Sequence, residues 1–292
     1  MRRWCKTPGV DPEELLADRV GVGVTRISLR TPTLPPATHT NAYLVGREDF
    51  LVVEPASPYG PEQSRLFAAV EARRAQGHRL VGALLTHHHA DHVGAAWALR
   101  DRYGVPVMAH PDTALRVRQR GPVDIELREG ESLPPCLDDL DLALLHTPGH
   151  APGHLCVHAQ KHGWLIAGDM VASVGTILVD VDDDGDMDDY LTQLQRLADR
   201  APGTVLPAHG EPIGDGVERL RFYVRHRLQR EAKILDAVRD GAQELGAVVA
   251  RAYDDTPVTV WPLAARAARA HLARLEKLQR VTLRAGRYLP LA

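Results

Sequence analysis

The stretch Thr86-His87-His88-His89-Ala90-Asp91-His92 follows the apolar run Leu80–Leu85, which reads as a short strand, so its polar side chains cluster at a strand end. Residues two apart on such a loop can project together, which lets His87 and His89 reach one ion. Asp91 and His92, at the mouth of the next helix, can turn toward a second ion nearby. Imidazole and carboxylate suit zinc and its first-row neighbours. A lone histidine is more often a satisfied core or surface side chain. His87, His89, Asp91 and His92, packed into six positions directly after an apolar strand, are hard to explain that way.

Working outward, candidate ligands recur just after strands. Leu140–Leu145 precedes His150, Trp164–Ala167 precedes Asp169, and Thr204–Pro207 precedes His209. Strand ends on a rigid scaffold are where distant sequence can converge on one site. Further strands are expected at Val20–Leu29, at Asn41–Val45 and Phe50–Val53 (a hairpin around Gly46-Arg47-Glu48), at Val105–Ala109 and at His154–Ala159. Helices are expected at Glu62–Gln76, Ala95–Tyr103 and Tyr190–Arg200. After Pro212 the pattern changes to a long amphipathic helix, Val217–Asp240, then helices Leu245–Tyr253 and Leu263–Leu278, then a small hairpin around Gly286. The expected division is residues 1–215 and 216–292.

The 292 residues, 44% hydrophobic and 25% charged, suit a globular chain with a substantial core. No apolar run nears the roughly 18 residues of a membrane span. Arg2 and Arg3 are followed by Asp11, Glu13 and Glu14 without an apolar stretch, so no signal peptide is expected. Cys5, Cys136 and Cys156 are odd in number and widely spaced, which argues against a disulfide framework and fits a reducing cytoplasm. From Gly216 onward there are 15 Lys/Arg against 8 Asp/Glu, leaving 20 against 30 in the first 215 residues. That asymmetry reads either as a basic surface on an acidic body or as a solvated helical face. Asp180, Asp182, Asp184 and Gly185 mimic the start of a calcium loop, but Leu191 stands where a bidentate glutamate is needed. The stretch is read as an acidic solvated loop.

His150 stands in His146-Thr147-Pro148-Gly149-His150, Asp169 follows Gly168, and His209 stands in Pro207-Ala208-His209-Gly210. Together with the first cluster, and in this order, they resemble the metallo-β-lactamase superfamily over about residues 20–215. The resemblance implies an α/β fold, a four-layer αββα sandwich with a small C-terminal helical, winged-helix-like domain. It places His87, His89 and His150 on a first divalent metal, Asp91, His92 and His209 on a second, and Asp169 between them. Zinc is the default, with iron and manganese compatible. Such a pair can share a hydroxide as nucleophile. Asp91 and His154 enter as catalytic candidates; His154, in His150-Ala151-Pro152-Gly153-His154, is read either as contacting the substrate or leaving group or as supporting the ligands. His88 is read as a supporting residue, and His39, His78, His110, His146, His158, His162, His226 and His271 as structural or exposed. Glu54 stands where many members have an aspartate that supports the metal loop.

β-Lactamases of this fold generally replace or lack the bridging aspartate, so Asp169, with no cysteine at a ligand position, favours the glyoxalase-like and nuclease-like branches. His226-Arg227, Arg230-Glu231, Tyr253 and Ala270–Glu276 resemble the tail of the β-lactamase-like protein 2 group. Its best-known members are single-strand endoribonucleases, and wider relatives include acyl-carrier thioesterases. The resemblance therefore implies hydrolysis of phosphodiesters in single-stranded RNA or, alternatively, a thioesterase or glyoxalase-II-like hydrolase of acyl thioesters. A nucleic-acid-binding module with a vestigial site is a third reading, which the intact ligand set disfavours. The tail is poor in stacking aromatics, with only Phe222, Tyr223, Tyr253, Trp261 and Tyr288 scattered along it.

Overall fold

The computed structural model describes residues 18–291. Cys5 and the N-terminal residues bearing on a leader lie outside the described residues, as does the side chain of Cys136. Strands β1 (Asp18–Gly21), β2 (Val24–Arg30), β3 (His39–Gly46), β4 (Asp49–Val53), β5 (Arg79–Leu84), β6 (Val107–Ala109) and β7 (Ile125–Glu126) form one sheet, side by side in chain order. Strands β8 (Leu142–His146), β9 (Leu155–Ala159), β10 (Trp164–Gly168) and β11 (Thr204–Pro207) form a second, also in chain order. The expected strand Val20–Leu29 is broken: Gly23, at φ +68°, turns β1 back onto β2.

Alternation along the strands builds the layers. On β3, Tyr43 and Val45 face the second sheet and pack with Leu155, Val157, Trp164 and Ile166. Ala42 and Leu44 point the other way, onto Leu66 and Val70 of α1 (Gly60–Ala75) and Leu99 of α3 (Ala96–Tyr103), which lies just beyond the short α2 (Ala90–Val93). Helix α4 (Pro111–Val117) follows β6. On the far face of the second sheet, Leu165, Ala167 and Val205 pack against Tyr190, Leu194 and Leu197 of α5 (Met187–Asp199). The result is the αββα sandwich, with each sheet buried on both sides.

Helix α6 (Gly216–Arg239) starts at Asp215, whose side chain accepts the Glu218 N–H at 3.2 Å. Its first half contributes Leu220 and Tyr223 to the sandwich core; its second half contributes Ile234, Leu235 and Val238 to a separate cluster. That cluster is completed by α7 (Leu245–Ala252), α8 (Trp261–Lys277) and Val281 of the β12 (Val281–Arg284)–β13 (Arg287–Pro290) hairpin, the winged-helix part of the molecule. No helix among the described residues is long and apolar enough to cross a membrane.

Candidate metal centre

Four loops converge beyond the ends of β5, β8, β10 and β11. Two glycines permit the approach. Gly168, at φ +47°, precedes Asp169, and a Cβ there would lie 2.5 Å from the His154 ring. Gly149, at φ +127°, precedes His150 and lies so close to α5 that a Cβ would meet the Tyr190 backbone nitrogen at 2.2 Å.

All seven expected ligands are brought together, in two overlapping groups. His89 Nδ1 lies 2.9 Å from His87 Nε2 and 3.0 Å from His150 Nε2, and His150 Nε2 is 3.4 Å from Asp169 Oδ2. Beside them, Asp91 Oδ2 lies 3.4 Å from His92 Nε2 and 3.7 Å from His209 Nε2. Asp169 touches both groups, with Oδ1 3.3 Å from His209 Nε2 and Oδ2 3.7 Å from His92 Nε2.

The outer nitrogens explain why the inner ones face each other. His92 Nδ1 donates to Glu54 Oε2 at 2.8 Å, His150 Nδ1 to the Leu178 carbonyl at 2.8 Å, and His209 Nδ1 to the His39 carbonyl at 2.9 Å. The Thr86 hydroxyl donates to Glu54 Oε1 at 2.6 Å, so at 3.0 Å it accepts from His87 Nδ1. His89 Nε2 donates to Asp183 Oδ2 at 2.6 Å. Each of the five imidazoles thus has its outer nitrogen committed and its inner nitrogen turned toward the centre, the orientation metal ligands require. Among the described residues, His92 Nε2 and Asp169 Oδ1 are buried without a hydrogen-bond partner. Buried polar atoms are rarely left so, and these two face the places cations would take. The donor set therefore fits two divalent ions.

Electrostatics agree. Burial opposes charge on His92, yet Asp91, Glu54 and Asp169 hold it well above the usual imidazole range. Burial would raise Asp169, but His209 and His92 bring it well below the usual carboxylate range. Asp91 is likewise low, because His92 and His209 outweigh the effect of burial. Burial, then His89, push His150 down to about 4.

Of the two readings of His154 the geometry fits the supporting one, not contact with a substrate: it is fully buried, Nδ1 meets Thr147 Oγ1 at 2.7 Å, and Nε2 accepts the Asp169 backbone N–H at 3.1 Å, which holds Asp169 in place. One expectation needs correction. The acidic stretch after Leu178 is not merely solvated. Asp180 pairs with Arg266 at 2.5 Å, Asp182 with Arg269, Asp184 with Arg116 at 2.5 Å, and Asp183 with His89. The sequence reading missed Asp183, because only the fold shows which of several clustered aspartates meets a ligand. Glu54 does what the expected aspartate would: its two oxygens hold Thr86 and His92. His88 Nε2 sits 3.4 Å from Asp183, in the supporting position expected.

A cavity of about 540 Å³ opens from this centre toward α6 and α8. Its walls include Leu34, Val174, Ile177, Val260 and Leu263 and the arginines Arg227, Arg230 and Arg266, with Tyr253 as the one ring of the Phe, Tyr and Trp type among the described residues.

The family model described as the metallo-beta-lactamase superfamily matches residues 35–209, and that of the beta-lactamase associated winged helix domain matches residues 245–287. The chain is 28% identical over 276 residues to the beta-lactamase-like protein 2 homolog of Drosophila melanogaster, covering 89% of each. It is 27% identical over 230 residues to the atrochrysone carboxyl ACP thioesterase of Aspergillus chevalieri, covering 77% of this chain and 69% of that one. A crystal structure of a beta-lactamase domain protein from Burkholderia ambifaria superposes with a TM-score of 0.82 at 21% identity, covering 94% of this chain and 93% of that one, a likeness of fold.

Proposed function

The chain belongs to the metallo-β-lactamase superfamily and is a metal-dependent hydrolase, and from that premise we propose that it cleaves acyl thioesters at a two-ion centre. His87, His89 and His150 would hold one ion, Asp91, His92 and His209 the other, with Asp169 shared between them. Zinc is the metal that this imidazole-rich set suits. When bound, such ions lower the pKa of water and polarise the scissile carbonyl.

The observation that carries the substrate class is the cavity leading to the centre, where Leu34, Val174, Ile177, Val260 and Leu263 form an aliphatic stretch of wall beside the charged groups. Its lining accommodates an acyl chain, whereas single-stranded nucleic acid is usually gripped by stacked aromatic rings. The chain's own groups agree with a thiol leaving group. His154, enclosed and engaged at both nitrogens, is not available to donate a proton. A thiol of pKa about 8.5 departs as thiolate without one. Asp91, grouped with His92 and His209, would be taken up as a ligand and so is not free to protonate a leaving group.

Single-stranded RNA, the first expectation from sequence, draws its support from the basic excess of the C-terminal part. Much of that excess is engaged: Arg266, Arg269, Arg274 and Lys277 meet Asp180, Asp182, Asp188 and Asp186, and Arg230 and Lys233 meet Asp255. Metal-quantified protein assayed in parallel on acyl thioesters and single-stranded RNA is expected to turn over the thioesters. RNA cleavage without thioester turnover would reverse the assignment. The relative named as an ACP thioesterase supports the thioester reading as well.

A further inference from the structure

Arg227 stands apart from the other basic side chains around the cavity. It is only 3% exposed, lines the cavity wall from α6, and pairs with no carboxylate among the described residues. Its guanidinium donates to the Ile177 carbonyl and lies over the Tyr190 ring, 5.6 Å from the centroid, while its Nε is buried without an acceptor. One turn along the helix, Glu231 is already taken by Arg274 and by His271 at 3.3 Å. A buried cation left without a counter-charge is strongly unfavourable, so such groups are found paired or facing a ligand.

Two neighbours on the same wall are in the same condition. Tyr253 is 7% exposed and its hydroxyl is buried without a partner; His226 Nδ1 is buried without a partner too. Burial, then Arg227 and Arg230, bring His226 down to about 4, so it faces the cavity as a neutral imidazole. The position is close to the metal centre along the chain: Arg227 grips the carbonyl of Ile177, and the next carbonyl, Leu178, orients His150.

We propose that Arg227, with the Tyr253 hydroxyl and His226, forms a subsite for an anionic oxygen group of the substrate. Resting on the thioester reading, that group is either a carboxylate on the acyl chain or the phosphate of the carrier arm. Both offer the acceptor oxygens that a guanidinium and a phenol recognise. Arg230 cannot take this role, because its guanidinium is shared between Asp255 and the Ala252 carbonyl. Arg266 is likewise held by Asp180.

The test uses matched pairs on the zinc-loaded full chain. Glutaryl and pentanoyl thioesters of N-acetylcysteamine differ in the acyl carboxylate; pentanoyl-pantetheine with and without its 4′-phosphate differs in the carrier anion. The charged member of one pair is expected to have a kcat/KM at least about tenfold higher, and Arg227→Gln to remove that advantage. Which pair shows the preference identifies the source of the anion. Tyr253→Phe, which removes one hydroxyl and keeps the ring, is expected to reduce the preference several-fold and carries the test if Arg227→Gln fails to fold. Thioester turnover without a charge preference in either pair overturns the subsite and leaves the thioesterase reading standing. If no thioester is cleaved, calorimetric binding of glutarate and pantetheine 4′-phosphate decides. Binding that weakens at least about tenfold in Arg227→Gln upholds the subsite. Binding that is absent, or equal in the variant, overturns it.

Discussion

At the residue scale, the centre depends as much on the groups behind the ligands as on the ligands themselves. Glu54 sits fully buried at φ +57° and serves two donors, the Thr86 hydroxyl and His92 Nδ1–H. Glu54→Gln keeps the shape but offers one acceptor oxygen for two donors, so one of them must face an amide NH₂. Metal affinity is expected to fall about 10–100-fold, read by competition with a chelator; unchanged affinity would show that the carboxylate does not tune His92. Asp169→Ala removes a carboxylate whose two oxygens reach both ligand groups, and turnover is expected to vanish with the far-ultraviolet dichroism intact. Full retained activity would exclude a shared role. The seven expected ligands were legible in the sequence because His87, His89, Asp91 and His92 cluster locally at a strand end, while the resemblance supplied His150, Asp169 and His209. The role of His154 was not, because spacing cannot say whether a ring nitrogen faces the cavity or, as here, the Asp169 backbone.

At the scale of elements, the sequence pattern located most strands and helices but not their partners. The acidic run and the basic tail were each visible as charge, yet they meet across 86 or 87 positions, in Asp180–Arg266, Asp182–Arg269 and Asp188–Arg274. Hydrophobic periodicity carries no information about pairing at that range. Asp180 is buried, but the Arg269–Asp182 bridge lies at the surface, with side chains 38% and 58% exposed. Exposed pairs contribute about 0.2–1 kcal/mol each, so Arg269→Ala is expected to cost less than about 1 kcal/mol in denaturant unfolding. Their effect is positional. They hold the turn Val181–Asp183 against the loop of His88 and His89, where Asp183 orients the His89 ring. Asp183→Asn is therefore expected to weaken the His87/His89/His150 position about tenfold or more and leave the other closer to full occupancy. Metal stoichiometry after dialysis reads this directly, and equal loss from both positions would contradict it.

At the scale of the whole molecule, α6 joins the two hydrophobic clusters and carries Arg227 and His226 to the cavity, so the winged-helix part helps to wall the site. The metal should in turn be felt by the fold as a whole, and with a definite dependence on pH. Without ions, His92 and His209 have raised pKa values in the folded state despite burial, because Asp91, Glu54 and Asp169 face His92 and Asp169 faces His209. Their stabilising contribution is fully present below the unfolded value of about 6.5 and is lost as pH rises through the folded pKa. Asp91 and Asp169, depressed in the folded state, contribute above the unfolded value of about 3.9 and lose that contribution only as pH falls through the folded pKa. Between these limits the metal-free centre is a self-neutralised cluster, with protonated imidazoles standing in for cations. Zinc must displace those protons, so its binding strengthens as pH rises. Calorimetric unfolding of metal-free and zinc-loaded protein should therefore give a small zinc-induced rise in Tm near about pH 5.5 and a larger one near about pH 8. An increment independent of pH would mean that the ions do not displace protons from His92 and His209, and the ligand set would have to be redrawn.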